Sequence, residues 1–265
     1  MILTRIRGGL GNQFFQYACG RYLSCLYNTD LYLDCIRSED FRPYLLHRYN
    51  IDGCALTKPE EDILRFNKFK RFREDETRIN KEIWMLPEGL NIYINGYWQS
   101  HYYFVRIGDV IKHNLTLKEP INTPQFKEMA DKIKNSNSVM MHIRRGDYLG
   151  LEDYYVNLPI EYYNQAFTLI NSKVKDPQYY IFSDDIEWCK TNITGDNITH
   201  VDLHQQGFED LELMRLCKHF VIANSTLSWW GAWLSDSPDK IVIAPKKWIK
   251  NEKEDFRTPS SWIRI

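Results

Sequence analysis

Apolar and polar positions alternate along Ile2-Leu3-Thr4-Arg5-Ile6, a period of two that predicts a half-buried strand. Glycines follow at 8, 9 and 11, and then the period changes. Phe14, Tyr17, Ala18, Tyr22 and Cys25 recur at helical spacing, which predicts a helix over residues 13–26. A second strand is expected over 30–34, and residues 36–60 carry no regular pattern. In Arg65-Phe66-Asn67-Lys68-Phe69-Lys70-Arg71-Phe72-Arg73 a phenylalanine stands at every third position, and five of the other six residues are basic. That pattern predicts a basic amphipathic helix over about 60–74. Residues 91–98 read as a strand with polar and aromatic residues at its end, and 102–115 as a helix.

Two prolines within residues 120–124 mark a linker, and a domain boundary is expected near residue 121. Beyond it, short apolar runs and helical patterns alternate regularly. Helices are expected over 125–134, 160–173 and 209–217, with a short one after 185 and a Trp-rich one after 225. Strands are expected at Val139-Met140-Met141-His142-Ile143 and over 179–182, 200–202, 220–223 and 241–244. Alternation of this kind builds a parallel sheet covered by helices on both faces. The chain of 265 residues, 43% of them hydrophobic, therefore reads as two α/β domains, residues 1–120 and 121–265.

A net charge of −1 supplies no general field for nucleic acid, so an anion must be held by a local cluster. The six cysteines show no C-x-x-C spacing and read as reduced core residues. No apolar run is long enough to cross a membrane and no signal peptide is recognisable, so a cytoplasmic protein is expected.

Three strand ends carry the candidate chemistry. Ile143 runs into Arg144-Arg145-Gly146-Asp147. Two adjacent arginines reach one ligand only where a strand ends and the chain turns, and guanidinium groups grip phosphate oxygens with paired hydrogen bonds. The strand over 220–223 ends in Asn224-Ser225-Thr226, all good helix caps, so the helix after it offers free N–H groups to an anion. Ser183-Asp184-Asp185 closes the strand between these two in sequence. In the first domain, Gly8-Gly9-Leu10-Gly11-Asn12-Gln13 lets a ligand approach the backbone but is neither a dinucleotide fingerprint nor a P-loop. Neither Asp-x-Asp nor a His/Cys ligand spacing is present, and no metal is expected. A cleft between two α/β domains is the expected place for a small ligand.

Taken together, Gly8-Gly9-Leu10-Gly11-Asn12-Gln13-Phe14-Phe15-Gln16-Tyr17-Ala18, His142-Ile143-Arg144-Arg145-Gly146-Asp147-Tyr148, Phe182-Ser183-Asp184-Asp185 and Asn224-Ser225-Thr226-Leu227-Ser228-Trp229-Trp230-Gly231-Ala232-Trp233 resemble the α-1,2-fucosyltransferases of glycosyltransferase family 11. The resemblance implies a GT-B fold, two Rossmann-like α/β domains facing across a cleft. The first domain would take the acceptor and the second GDP-fucose. It implies inverting transfer of fucose to the 2-hydroxyl of a galactoside, with neither metal nor cofactor. Arg144 and Arg145 would hold the pyrophosphate, with help from Asn224, Ser225 and Thr226. His142 and Asp147 would order that site, and Asp184 or Asp185 would face the nucleotide. Gly9, Gly11, Asn12 and Gln13 would lie across the cleft, near fucose and acceptor. Asp147, Glu152 and Asp153 are the candidates for a base, with none singled out. The implied partner is a galactose-terminated surface glycan, lipid-linked in some bacterial pathways.

Two other functions fit these residues: an α-1,6 or protein O-fucosyl transfer, and a glycan-binding protein without catalysis. The basic stretch at 65–73 adds the expectation of weak, salt-reversible contact with anionic lipid.

Overall fold

The computed structural model describes residues 1–35, 42–56, 68–74, 78–87, 89–146, 150, 153–203, 207–251 and 255–265. The chain divides into two compact units, Met1–Pro120 and Ile121–Ile265.

The first unit is built on five parallel strands: β1 (Ile2–Arg5), β2 (Leu31–Asp34), β3 (Cys54–Leu56), β4 (Lys70–Arg73) and β5 (Ile92–Asn95). Their order is β3-β2-β1-β5-β4, so β1 and β5 are neighbours at the point where strand order reverses. Helix α1 (Leu10–Leu26) returns the chain from β1 to β2, and α2 (Gly108–Asn114) closes the unit after two short 3-10 turns. Phe14, Tyr17, Ala18 and Tyr22 are buried as the helical spacing predicted, whereas Cys25 is exposed, and Phe15 and Leu23 join the buried face.

The second unit contains α3 (Pro124–Lys134), β6 (Asn137–Ile143), α4 (Ile160–Asn171), β7 (Pro177–Ser183), α5 (Ile186–Asn192) and β8 (Ile198–His200). It continues with α6 (Gly207–Met214), β9 (His219–Val221), α7 (Thr226–Leu234), β10 (Val242–Ala244) and β11 (Ile263–Arg264). The sheet is parallel throughout, ordered β11-β10-β9-β6-β7-β8. Counted from β6, this is the 3-2-1-4-5-6 order of a doubly wound dinucleotide fold, whose ligands bind at the carboxyl edge beside the switch point. Here that point lies between β6 and β9. Every residue of β6 after Asn137 is buried, because helices cover both faces. Tyr162 of α4 donates to the Ile222 carbonyl at 2.6 Å and so ties that helix to the end of β9.

The structure corrects the reading of residues 60–74. Residues 57–67 lie outside the described part, and Lys70-Arg71-Phe72-Arg73 is an edge strand, not helix. Only Phe72 turns inward, while Phe69 packs partly against the small cluster of Leu3, Leu56 and Tyr93. Ladder bonds to β5 outweigh a weak helical pattern, with Arg71 opposite Tyr93. Basic side chains on an edge strand block pairing with another chain, which gives Lys70, Arg71 and Arg73 a structural reason to be charged. The lipid contact inferred from a helical stripe thus loses its basis at these positions. The irregular stretch also hid β3. All six cysteines are free thiols, but only Cys19, Cys189 and Cys217 are buried; Cys25 and Cys54 are exposed.

Gly20 shows why α1 can lie close on β1: a Cβ there would stand 2.1 Å from Thr4 Oγ1, a fully buried atom. Gly20→Ala gains about 1 kcal/mol of helix propensity, whereas overpacking of a tight contact costs about 1–3 kcal/mol. The expected outcome is net destabilisation, read as a lower thermal midpoint. Gly9→Ala, at the N-cap of α1 with a Cβ that would meet nothing within 4 Å, should lower the midpoint less than Gly20→Ala. A midpoint for Gly20→Ala at or above wild type would overturn this account of the α1–β1 contact.

Candidate active site

At the carboxyl edge of the second sheet the chain leaves β6 through Arg144, Arg145 and Gly146, and leaves β7 through Asp184 and Asp185. The two turns are locked together. The Arg145 N–H donates to Asp184 Oδ1 at 2.9 Å, and Arg144 Nη1 lies 3.2 Å from Asp184 Oδ2. Arg145 Nε donates to Asp185 Oδ2 at 3.2 Å, and the guanidinium lies over the Trp188 ring, 4.0 Å from its centre. Asp185 also accepts from the Trp188 N–H and so caps α5. A Cβ on residue 146 would stand 2.7 Å from Asp184 Oδ2, which is why that position is glycine.

Both carboxylates face the arginines and the backbone, and both are engaged in aiming cations. Paired this way the arginine side chains are still about a quarter exposed, at 24% and 28%. Pre-aimed cations at a partly exposed strand end are what an anionic ligand requires.

His142, two residues before Arg144, is buried, and its Nδ1 has no hydrogen-bond partner. Burial, reinforced by the Arg144 charge, pushes its imidazole down to about 3, against the opposing pull of Asp184. The ring is therefore neutral at physiological pH and adds no charge to the arginine pair.

On the other side of the switch point, Asn224 is buried and its Nδ2 donates to the Val156 and Trp248 carbonyls, each at 2.9 Å. It clamps two loops that also meet through the Tyr155–Ile249 bridge. Asn224 thus shapes the rim of the edge. Ser225 is the N-cap residue of α7, yet its side chain makes no cap hydrogen bond. Plain capping therefore does not account for that hydroxyl. Thr226 opens the helix and is half-buried. Trp229 and Trp230 are fully buried core, with Trp229 Nε1 donating to the Arg257 carbonyl at 3.0 Å, and Trp233 is partly buried. Asp147 and Glu152 lie outside the described residues, and Asp153 is exposed.

The glycine turn of the first unit is ordered by its own side chains. Gly8 has φ +75°, and a Cβ there would lie 2.9 Å from Asn12 Nδ2. Gly9 faces open space and Gly11 is buried in the first turn of α1. Gln13 is 1% exposed. Its Nε2 donates to the Gly8 and Pro43 carbonyls and its Oε1 accepts from the Leu45 N–H. In this structure Gln13 fastens the turn to the loop at Pro43 and Leu45, with both amide N–H groups and its carbonyl engaged by backbone. Asn12 accepts from Gln99 Nε2 at 2.9 Å, which joins the turn to the end of β5.

Sequence reading missed Gln99 and Asp210. Asp210 lies in the first turn of α6, at the same edge of the second sheet because that helix follows β8. Burial, with Glu209 beside it, pushes its carboxyl up to about 7, a shift typical of functional sites. The signal available in sequence was an acidic pair at a helix start, which ordinary capping explains as well.

The sequence model described as "Glycosyl transferase family 11" matches residues 1–265. An Escherichia coli protein named alpha-1,2-colitosyltransferase is 33% identical over 100% of this chain and 99% of its own length. A Bos taurus galactoside alpha-(1,2)-fucosyltransferase 1 is 27% identical over 65% of this chain and 52% of its own. Among solved structures, the NodZ alpha-1,6-fucosyltransferase co-crystallised with GDP superposes with a TM-score of 0.56 at 11% identity, covering 91% of this chain and 94% of that one. At that identity the likeness concerns the fold, which is the two-sheet α/β architecture of the GT-B type.

Two predictions follow from the geometry of this edge. Arg144→Lys keeps the charge but loses the planar fork, and losing one such transition-state donor costs about 10²–10³ in rate. Turnover at saturating donor should fall by that range, and wild-type turnover would contradict the phosphate role.

The second concerns pH and stability. His142 binds its proton less readily folded than unfolded, so stability falls as pH drops from about 6.5 toward 3. Asp210 holds its proton more tightly when folded, so stability falls as pH rises from about 4 through 7. Asp210→Asn should raise the thermal midpoint at pH 8 and leave it near wild type at pH 4. His142→Gln should lose less stability than wild type between pH 7 and pH 5. Identical pH profiles in all three proteins would contradict both assignments.

Proposed function

The chain belongs to glycosyl transferase family 11, and on that premise we propose that it transfers L-fucose from GDP-fucose to the 2-hydroxyl of a terminal galactose in a surface glycan, inverting the anomeric carbon. The observation that carries this reading is the pair Arg144 and Arg145, held by Asp184 and Asp185 beside the switch point of the second sheet. In the reaction the bond from fucose C1 to the β-phosphate oxygen breaks as the acceptor oxygen attacks from the opposite face, and the acceptor's hydroxyl proton passes to a base or, late in the step, to solvent. The transition state resembles an oxocarbenium ion, so negative charge gathers on the leaving phosphate. Guanidinium donors and the start of α7 oppose that charge without reorganising, and the reading therefore includes transfer without a divalent metal. The galactoside acceptor and the α-1,2 linkage are supported by the bovine relative's name and by the four sequence motifs.

A second donor is favoured by one observation, the 33% identity to a protein named for colitose transfer. Colitose is fucose lacking the 3-hydroxyl. A pocket built to hydrogen-bond that hydroxyl rejects the deoxy sugar by about 10⁴-fold, whereas an apolar pocket discriminates only about 10²-fold. The test is to incubate the protein with GDP-fucose or GDP-colitose, a panel of β-galactosides, and excess EDTA, and to determine product linkage by NMR. An α-1,2-fucosyl product formed in EDTA is expected. A product of other linkage, exclusive use of GDP-colitose, or activity that returns only with added Mg²⁺ or Mn²⁺ would each overturn the corresponding part.

A further inference from the structure

The carboxyl end of β5 carries an arrangement that the donor chemistry does not use. After Asn95 the chain passes Gly96, where a Cβ would meet Glu74 Cβ at 2.3 Å. Glu74 Oε2 accepts from the N–H groups of Tyr97 and Trp98, and Trp98 takes φ +55° while fully buried. A left-handed conformation at a bulky residue is costly and persists only where its surroundings enforce it. Its effect is to launch a 3-10 turn, His101–Tyr103, capped by Ser100. Tyr103 anchors that turn from beneath, edge-on to Trp98 at 5.3 Å, with its hydroxyl accepting from the Asn80 N–H at 2.8 Å.

On this fixed base stand His101 and Tyr102. Their ring centres are 4.2 Å apart with planes inclined by 34°, so Tyr102 is backed by a second ring, and yet it is 51% exposed. Scattered exposed aromatics need no explanation. This one is held in place by its neighbour, stands on a strained and fully anchored turn, and follows directly from Gln99, which bonds Asn12 of the glycine turn. β5 and β1 are the two strands at the switch point of the first sheet, and their carboxyl ends are where its ligands are expected.

We propose that Tyr102, stacked on His101, is a sugar platform that receives the apolar face of the acceptor glycan, with Gln99 and Asn12 as the polar groups beside it. The face of a galactopyranose that carries the C3, C4 and C5 hydrogens matches a flat, partly exposed ring. Tyrosine supplies such contact area at low entropic cost, the more so when the ring is already held. The platform gives the first domain a residue that selects acceptors. It rests on the reading of the chain as a transferase acting on galactosides, and it makes no demand on the donor site.

The test uses the full chain and reads acceptor and donor separately. Saturation-transfer NMR with lactose and with methyl β-galactoside, in the presence of GDP, is compared for wild type, Tyr102→Ala and Tyr102→Trp. Calorimetric GDP affinity is measured for the same three proteins. Tyr102→Ala is expected to weaken sugar binding about 10-fold, the scale of one aromatic contact, while Tyr102→Trp keeps it. GDP affinity should be equal in all three. Sugar signals in Tyr102→Ala equal to wild type, or no sugar signal in wild type, would overturn the platform. The GDP titration reports on the donor reading alone, so failure of one is distinguishable from failure of the other.

Discussion

The carboxylate of Asp184 is the contact on which the second domain's chemistry depends. It accepts the Arg145 N–H, pairs with Arg144, and comes so close to residue 146 that only glycine fits there. One side chain at the end of β7 thereby sets the direction in which the chain leaves β6. Asp185 repeats the device on the Arg145 guanidinium and caps α5 with its other oxygen. Exposed ion pairs contribute little to stability. The value of these lies in geometry, because cations already aimed at a developing charge need not reorganise when it appears.

The first domain applies the same economy to backbone polar groups. Gln13 and Glu74 are engaged in holding turns, the first at the end of β1 and the second at the end of β5. Asn224 does the equivalent for the rim of the second sheet. Gln13 and Asn224, which look like ligand contacts in sequence, are in this structure fasteners of the backbone, as Glu74 is at the end of β5. Buried polar groups must find partners, and at loop-rich strand ends the nearest partners are backbone carbonyls and N–H groups.

That distinction marks how far the sequence could be read. β6, β7 and β9 were visible because apolar runs end abruptly in charge or in helix caps, and parallel strands buried on both faces write that pattern directly. The doubly wound alternation after residue 121 followed from it. Strand β4 was not visible: Lys70-Arg71-Phe72-Arg73 carries a single inward residue, and its conformation comes from pairing with β5. Strand β3, with three residues, is too short to show a period. At the site, the residue types of Arg144, Arg145 and Ser225 pointed to anion chemistry without help from structure. Besides the nearby Gly8 carbonyl, the partners of Gln13 lie 30 and 32 residues away, and those of Asn224 lie 24 and 68 away, so no local spacing encodes them.

The central claim is that the donor's diphosphate sits at the carboxyl edge of the second sheet, between the ends of β6 and β9. A crystal structure of the protein with GDP tests it most directly. The account predicts the β-phosphate oxygens within hydrogen-bond distance of the Arg144 or Arg145 guanidinium and of the first turn of α7. A diphosphate bound instead on the glycine turn at Gly8 and Gly9, with neither arginine touching it, would contradict it.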